Sequence, residues 1–122
     1  MRLIQTLTLA TVAVALFASS NFANAAYASW RCEFAGWTEP VTLIAELGIG
    51  KGKFIGNQGT ADVFFIEGTN AISFLEILAS GAVQVTTIVL KTGEAAHSRN
   101  TVISGVDKFI PSQTVGQCKP WN

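Results

Sequence analysis

The chain has 122 residues, of which 49% are apolar and 16 are charged, with 8 basic and 8 acidic side chains and a formal net charge of zero. So apolar a chain is not intrinsically disordered, which requires few apolar residues and a high net charge. A phosphate-binding surface for nucleic acid is excluded too, because it takes a cluster of Lys and Arg that this chain lacks.

The positive mean hydropathy of 0.40 has its main source at the start of the chain. Residues 1–25 carry Arg2 as their only charge, an apolar run from Leu7 to Ala18, and a polar stretch ending in Ala23-Asn24-Ala25. This is the layout of a secretory signal peptide with an A-x-A cleavage site. The apolar run stops at Ser19-Ser20-Asn21, short of the roughly 20 residues that a spanning helix needs. A second candidate cut follows Ala26-Tyr27-Ala28, and neither site is followed by a Cys that could carry a lipid anchor. The expected product is a single domain over residues 26–122, periplasmic or secreted, with no stable membrane insertion. Loss of Arg2 leaves one more acid than base, a surface with little long-range attraction for charged partners.

Cys32 and Cys118 are the only cysteines, one near each end of the expected domain. Oxidising compartments favour the one intramolecular pairing open to them. Closing so long a loop would stabilise the fold by about 4.5 kcal/mol in the chain-entropy account. One histidine and two distant cysteines do not supply a zinc site, so neither metal nor cofactor is expected.

From Trp30 the chain alternates, with Trp30, Cys32 and Phe34 on one side and Arg31, Glu33 and Ala35 on the other, the signature of a strand with one buried face. Gly36 to Pro40 forms a turn, and Val41, Leu43, Ala45 and Leu47 resume the alternation. Gly48-Ile49-Gly50-Lys51-Gly52-Lys53 is too rich in glycine for a helix and reads as a hairpin tip or loop, with a short strand starting at Phe54. Ala61 to Ile66 and Ala71 to Leu78 are dense in β-branched and aromatic residues and are separated by the turn Glu67-Gly68-Thr69-Asn70. A short helix is the alternative for the second of these. In the next strand, Val83 to Leu90, Val83 and Val85 alternate with Gln84 and Thr86. After the turn at Lys91 to Glu94, Ala95 to Ser104 runs extended, and the last strand covers about Gln113 to Cys118, following Pro111. About seven or eight short strands at this spacing predict an all-β fold, an antiparallel meander closed as a small barrel or folded as a sandwich.

The chemistry-bearing side chains are few. His97 and Arg99 point to one side of an extended chain and Ser98 to the other, a poor start for a Ser-His-acid triad. The same pair could hold a carboxylate, sulfate or phosphate through the guanidinium fork, so His97 and Arg99 are candidate ligand contacts. Lys51 and Lys53 in the glycine-rich segment are candidate partner contacts, on a loop presented by a rigid β scaffold. That segment lacks the spacing of a nucleotide-binding P-loop. No two of the eight carboxylates are singled out as a glycosidase pair. Glu76 stands out only because it lies in an apolar stretch, and a sheet-surface or loop position is expected for it. Trp30, Trp37 and Trp121 could stack on a sugar if two were exposed together, but core or seam packing is the expected role, and a Cys32–Cys118 bridge would draw Trp30 and Trp121 into one neighbourhood.

With its leader, the W-x-C-x-F start at Trp30 to Phe34, the glycine-rich β pattern and the G-x-C ending at Gly116 to Cys118, the chain resembles small exported proteins of Gram-negative bacteria. That resemblance implies no particular activity. It is distantly similar to the periplasmic inhibitors of c-type lysozyme, small exported β-barrels with a cysteine near the start of the mature chain. Their inhibitory-loop Ser and Lys motif is matched at no position here, so the resemblance assigns no residue. The expected function is that of a non-enzymatic envelope protein binding a protein or small ligand. The alternatives are a lysozyme inhibitor and a small hydrolase using His97.

Overall fold

A computed structural model describes residues 26–103, 105 and 107–122; the expected leader lies outside them. Eight antiparallel strands follow one another: β1 (Tyr27–Phe34), β2 (Val41–Glu46), β3 (Lys51–Gly56), β4 (Gly59–Glu67), β5 (Ala71–Ile77), β6 (Val83–Val89), β7 (Glu94–Ile103) and β8 (Lys108–Pro120). Each pairs with the next, and β8 returns to pair with β1, so the meander closes into a barrel. The stretch Ala71–Ile77 is a strand and not the alternative helix, paired with β6 along its whole length and with β4 from Ile72 to Leu75.

Two elements differ from the sequence reading. Lys51, Gly52 and Lys53 belong to β3 and not to a loop. Gly52 is there because the chain packs tightly: a Cβ at this position would collide with the backbone carbonyl of Ile44 on β2 and touch Val63 on β4. The last strand begins at Lys108 and not near Gln113, with Pro111 inside it. A proline can stand in a strand where its missing N–H would face an open edge.

The barrel is filled by the inward parity of its strands. Cys32, Phe34, Val41, Leu43, Ala45, Val63, Phe65, Ile72, Phe74, Ile88, Ala95 and Cys118 form the buried core. Trp30 packs on it edge-to-face with Phe74 (5.8 Å between ring centres) and against Phe65 (6.4 Å). On β6 the inward parity is that of Gln84, Thr86 and Ile88, so Val83 and Val85 face outward.

The seam between β1 and β8 joins strands at opposite ends of the sequence. Cys32 and Cys118 lie directly opposite each other in its register and form a disulfide across a sequence separation of 86. Around it, Ser29 and Trp121 exchange bonds, with the Trp121 N–H donating to the Ser29 carbonyl (2.9 Å) and the Ser29 hydroxyl to the Trp121 carbonyl. The Arg31 guanidinium stands 4.5 Å from the Trp121 ring centre. Gly116 allows this approach, since a Cβ there would collide with the Glu33 carbonyl and the Phe34 ring.

Two outcomes follow for stability. Replacing both cysteines by alanine should lower the unfolding free energy by about 4 kcal/mol, most of the loop-closure term, measured by denaturant unfolding as a lower midpoint together with a steeper slope, because the unfolded chain without the crosslink exposes more surface. Gly116→Ala, with the disulfide intact, should cost about 2–3 kcal/mol in the same assay through overpacking at the seam; a cost near zero would mean that the strands at this point are not held as closely as described.

Candidate functional site

Chain direction fixes which loops share an end of the barrel. β1 runs toward the end where the β1–β2 loop (residues 35–40), the β3–β4 turn at Asn57-Gln58 and the β5–β6 loop (residues 78–82) gather. At that end the inward parity turns from apolar to polar. Below lie Ile72 and Ile88; one step up, Phe74, Thr86, His97 and Thr114 form a row of inward residues on neighbouring strands; above them stand Glu76, Gln84, Arg99 and Ser112. The register makes this upper row continuous, because Glu76 is paired with Gln84, Gln84 with Arg99, and Arg99 with Ser112. These side chains line an open cavity of about 720 Å³ in the barrel mouth, with Trp37 and Phe54 among its other walls.

His97 is the floor of this cavity and is 93% buried, since 7% of its surface remains exposed. Its Nδ1 and the Thr86 hydroxyl are hydrogen-bonded at 2.8 Å. Among the described residues no partner binds Nε2, and no buried polar side-chain atom is left unsatisfied, so Nε2 is the nitrogen that retains access to the cavity. Three aromatic rings surround the imidazole: Trp37 at 4.9 Å in an edge-to-face arrangement, and Phe34 and Phe54 each at 5.9 Å. Burial among these rings pushes the His97 pKa down, and the nearby Arg99 guanidinium pushes it further the same way. The ring is therefore a neutral hydrogen-bonding group at pH 7, able to serve as donor or acceptor according to its tautomer.

Arg99 is exposed to the cavity two residues along β7 from His97, on the same face. Among the described residues the one ion pair is Lys53–Asp62 on the outer face of the barrel, so Arg99 has no carboxylate partner there. The nearest inward acid along the row is the half-buried Glu76, two strands away, and its Oε1 accepts a hydrogen bond from the Gln84 amide lying between them. The mouth thus holds a guanidinium without an ion-pair partner beside a neutral imidazole, with the Glu39 and Glu76 carboxylates elsewhere on the cavity walls.

His97 and Arg99 are brought together as the alternation on β7 predicts, and Ser98 faces away, opposite Val85. Lys51 and Lys53 are not part of this site. They lie on the outward face of β3, where Lys53 pairs with Asp62, and they border a separate surface depression with Tyr27, Glu46 and Phe64. Trp30 and Trp121 do meet at the edge of one small depression near the chain ends. Trp37 stands at the mouth, so no two exposed indoles form a stacking platform there. Glu76, expected at a sheet surface or in a loop, faces the cavity because it shares the parity of Ile72 and Phe74. Gln84, Ser112 and Thr114 were not singled out by sequence; the signal available was the same parity.

No protein-family model, curated protein or solved structure matches the chain.

The protein has one histidine, which makes its titration directly readable. The imidazole resonance should titrate with a midpoint below the usual value of about 6.5, and Arg99→Gln should move that midpoint upward by removing one of the two causes. The linked stability has a definite sign. The unfolded chain takes up this proton near its ordinary pKa and the folded chain only at lower pH, so the folded state loses stability as pH falls from neutrality through 6.5, and the loss levels off below the folded pKa. Thermal unfolding of His97→Gln, compared with the parent between pH 7 and pH 5, should lack that part of the decline.

Proposed function

We propose that this is an exported, non-enzymatic binding protein of the bacterial envelope that takes a small anionic ligand in the mouth of its barrel. The observation that carries the reading is Arg99: a guanidinium on a cavity wall, without a carboxylate partner among the described residues, beside a histidine kept neutral. A guanidinium presents paired donors in a planar fork that fits a carboxylate, phosphate or sulfate. The neutral His97, through Nε2, adds an uncharged hydrogen-bonding group within the same cavity, while the Ser112 hydroxyl beside it donates to the Arg99 carbonyl. Trp37 and Phe54 supply apolar wall for the remainder of the ligand, the mixture expected of a small-molecule site. The A-x-A leader and the Cys32–Cys118 disulfide support export, to the periplasm or beyond. Among the described residues no helix is long and apolar enough to cross a membrane.

Binding is favoured over hydrolysis by the hydrogen-bond partners of the hydroxyls around His97. The Thr86 hydroxyl is engaged with Nδ1, and the Thr114 hydroxyl donates to the Ala35 carbonyl at 2.9 Å. No serine or threonine hydroxyl among the described residues is hydrogen-bonded to Nε2, and no carboxylate orients the ring from behind, which a nucleophile-activating histidine requires.

The test is a titration of the oxidised protein with glucuronate, phosphate and sulfate, followed by two-dimensional NMR of the Trp37 indole N–H and the His97 ring. At least one of these anions should shift both signals saturably, and Arg99→Gln should weaken that binding roughly ten- to a hundredfold, the value of hydrogen bonds to a charged group. Lys53→Gln, on the outer face, should leave it unchanged. Equal binding by the parent and Arg99→Gln, or shifts confined to the Lys51–Lys53 face, would overturn the reading.

A further inference from the structure

An anion at Arg99 accounts for one end of the polar row in the mouth, and the other end is acidic. Glu76 is half-buried on the cavity wall and takes no part in an ion pair among the described residues, where Lys53–Asp62 is the one pair formed. Its Oε1 accepts a hydrogen bond from Gln84 Nε2. That neutral amide satisfies the oxygen without balancing its charge. Glu39, on the β1–β2 loop, is a second acid on the walls. No lysine is among the described lining residues and His97 is held neutral, so two carboxylates share the mouth with the single guanidinium of Arg99. A ligand carrying only negative charge meets this surplus of acid, whereas one that also brings a cation matches both ends of the row.

The register holds those ends apart. Glu76 on β5 is paired with Gln84 on β6, and Gln84 with Arg99 on β7. Two strand spacings, about 10 Å between backbones, therefore separate the acid from the guanidinium. The Gln84 side chain, engaged with Glu76, stands between them. The facing part of the cavity is of another character: Trp37, Val41 and Phe54 line it with apolar surface.

We propose that the ligand of the mouth is a small zwitterion, with a primary ammonium group at Glu76, an oxyanion at Arg99 and a short apolar spacer crossing Gln84. The inference rests on the anion site proposed above and adds the second group. The hydrogen-bonding inventory selects a primary ammonium. Gln84 gives its N–H to Glu76 and keeps its carbonyl oxygen as an acceptor, and Glu76 keeps its Oε2, so this end of the row offers oxygens that call for N–H donors. A primary ammonium supplies three such donors with a positive charge, and a quaternary ammonium supplies none. The apolar surface of Trp37 and Phe54 suits a spacer of methylene groups, and the strand spacing limits how long that spacer can be.

Titration of the oxidised protein with 6-aminohexanoate, hexanoate, hexylamine and the N-trimethylated form of 6-aminohexanoate tests this, with the Trp37 indole N–H and the His97 ring as NMR reporters. The parent should bind 6-aminohexanoate at least about tenfold more tightly than each of the other three, the value of a hydrogen bond between charged partners. Glu76→Gln should reduce the preference over hexanoate to about twofold or less while hexanoate itself binds no more weakly than to the parent. Arg99→Gln should weaken both carboxylates. Should Glu76→Gln fail to fold, the ranking of the four compounds by the parent decides the matter. Carboxylates that bind through Arg99 with no gain from the amino group, an equal gain from the trimethylated form, or a preference that survives Glu76→Gln would overturn the zwitterion and leave the anion site standing. Failure of every carboxylate to bind, or binding indifferent to Arg99→Gln, would overturn both.

Discussion

The structure depends on closing the seam between the first and last strands. A meander of eight strands that stopped short of closure would leave the edges of β1 and β8 bare. It would also separate the inward residues of β7 and β8 from those of β1 and β2. Cys32 and Cys118, directly opposite in the seam, hold this long-range pairing that the other hairpin contacts cannot enforce. Gly116, which lets β8 approach Glu33 and Phe34, makes the contact sterically possible. Closure then decides what meets in the mouth: the β1–β2 loop carrying Trp37 lies across from β7, so the indole reaches the ring of His97.

Within the closed barrel, polarity is graded along the axis. The apolar filling is replaced near the mouth by Thr86 and His97, both buried and hydrogen-bonded to each other, and then by the row from Glu76 to Ser112. A buried polar pair is costly unless it is satisfied, and here each ring nitrogen of His97 has an outlet, one to Thr86 and one to the cavity. Desolvation and Arg99 both disfavour the imidazolium. The result is a mouth in which the positive charge belongs to Arg99 alone, next to a neutral ring.

Much of the architecture could be read from the amino-acid order, and the places where it could not have physical causes. Period-two alternation and glycine-bearing turns mark most of the strands, because a half-buried sheet leaves that imprint wherever its two faces differ. The glycines at Gly48–Gly52 mislead because glycine serves both turns and close strand packing; only the position of Ile44 distinguishes the two uses for Gly52. Pro111 misleads for a related reason: a proline disrupts a strand only if its N–H is needed, and that depends on whether a neighbour exists. At the site, the shared face of His97 and Arg99 follows from spacing alone. The inward direction of Gln84 and Thr86 does not, since valines of the opposite parity make the other side look like the core. The row from Glu76 to Ser112 exists only after four strands are set in register.

The central claim is that an unpaired guanidinium in the barrel mouth receives an oxyanion. Crystals of the oxidised protein grown near neutral pH in ammonium sulfate test it most directly. The account predicts a sulfate within the mouth, hydrogen-bonded to the Arg99 guanidinium and lying on the Nε2 side of His97. An Arg99 side chain folded onto the Glu76 carboxylate, with no anion beside it, would contradict the claim.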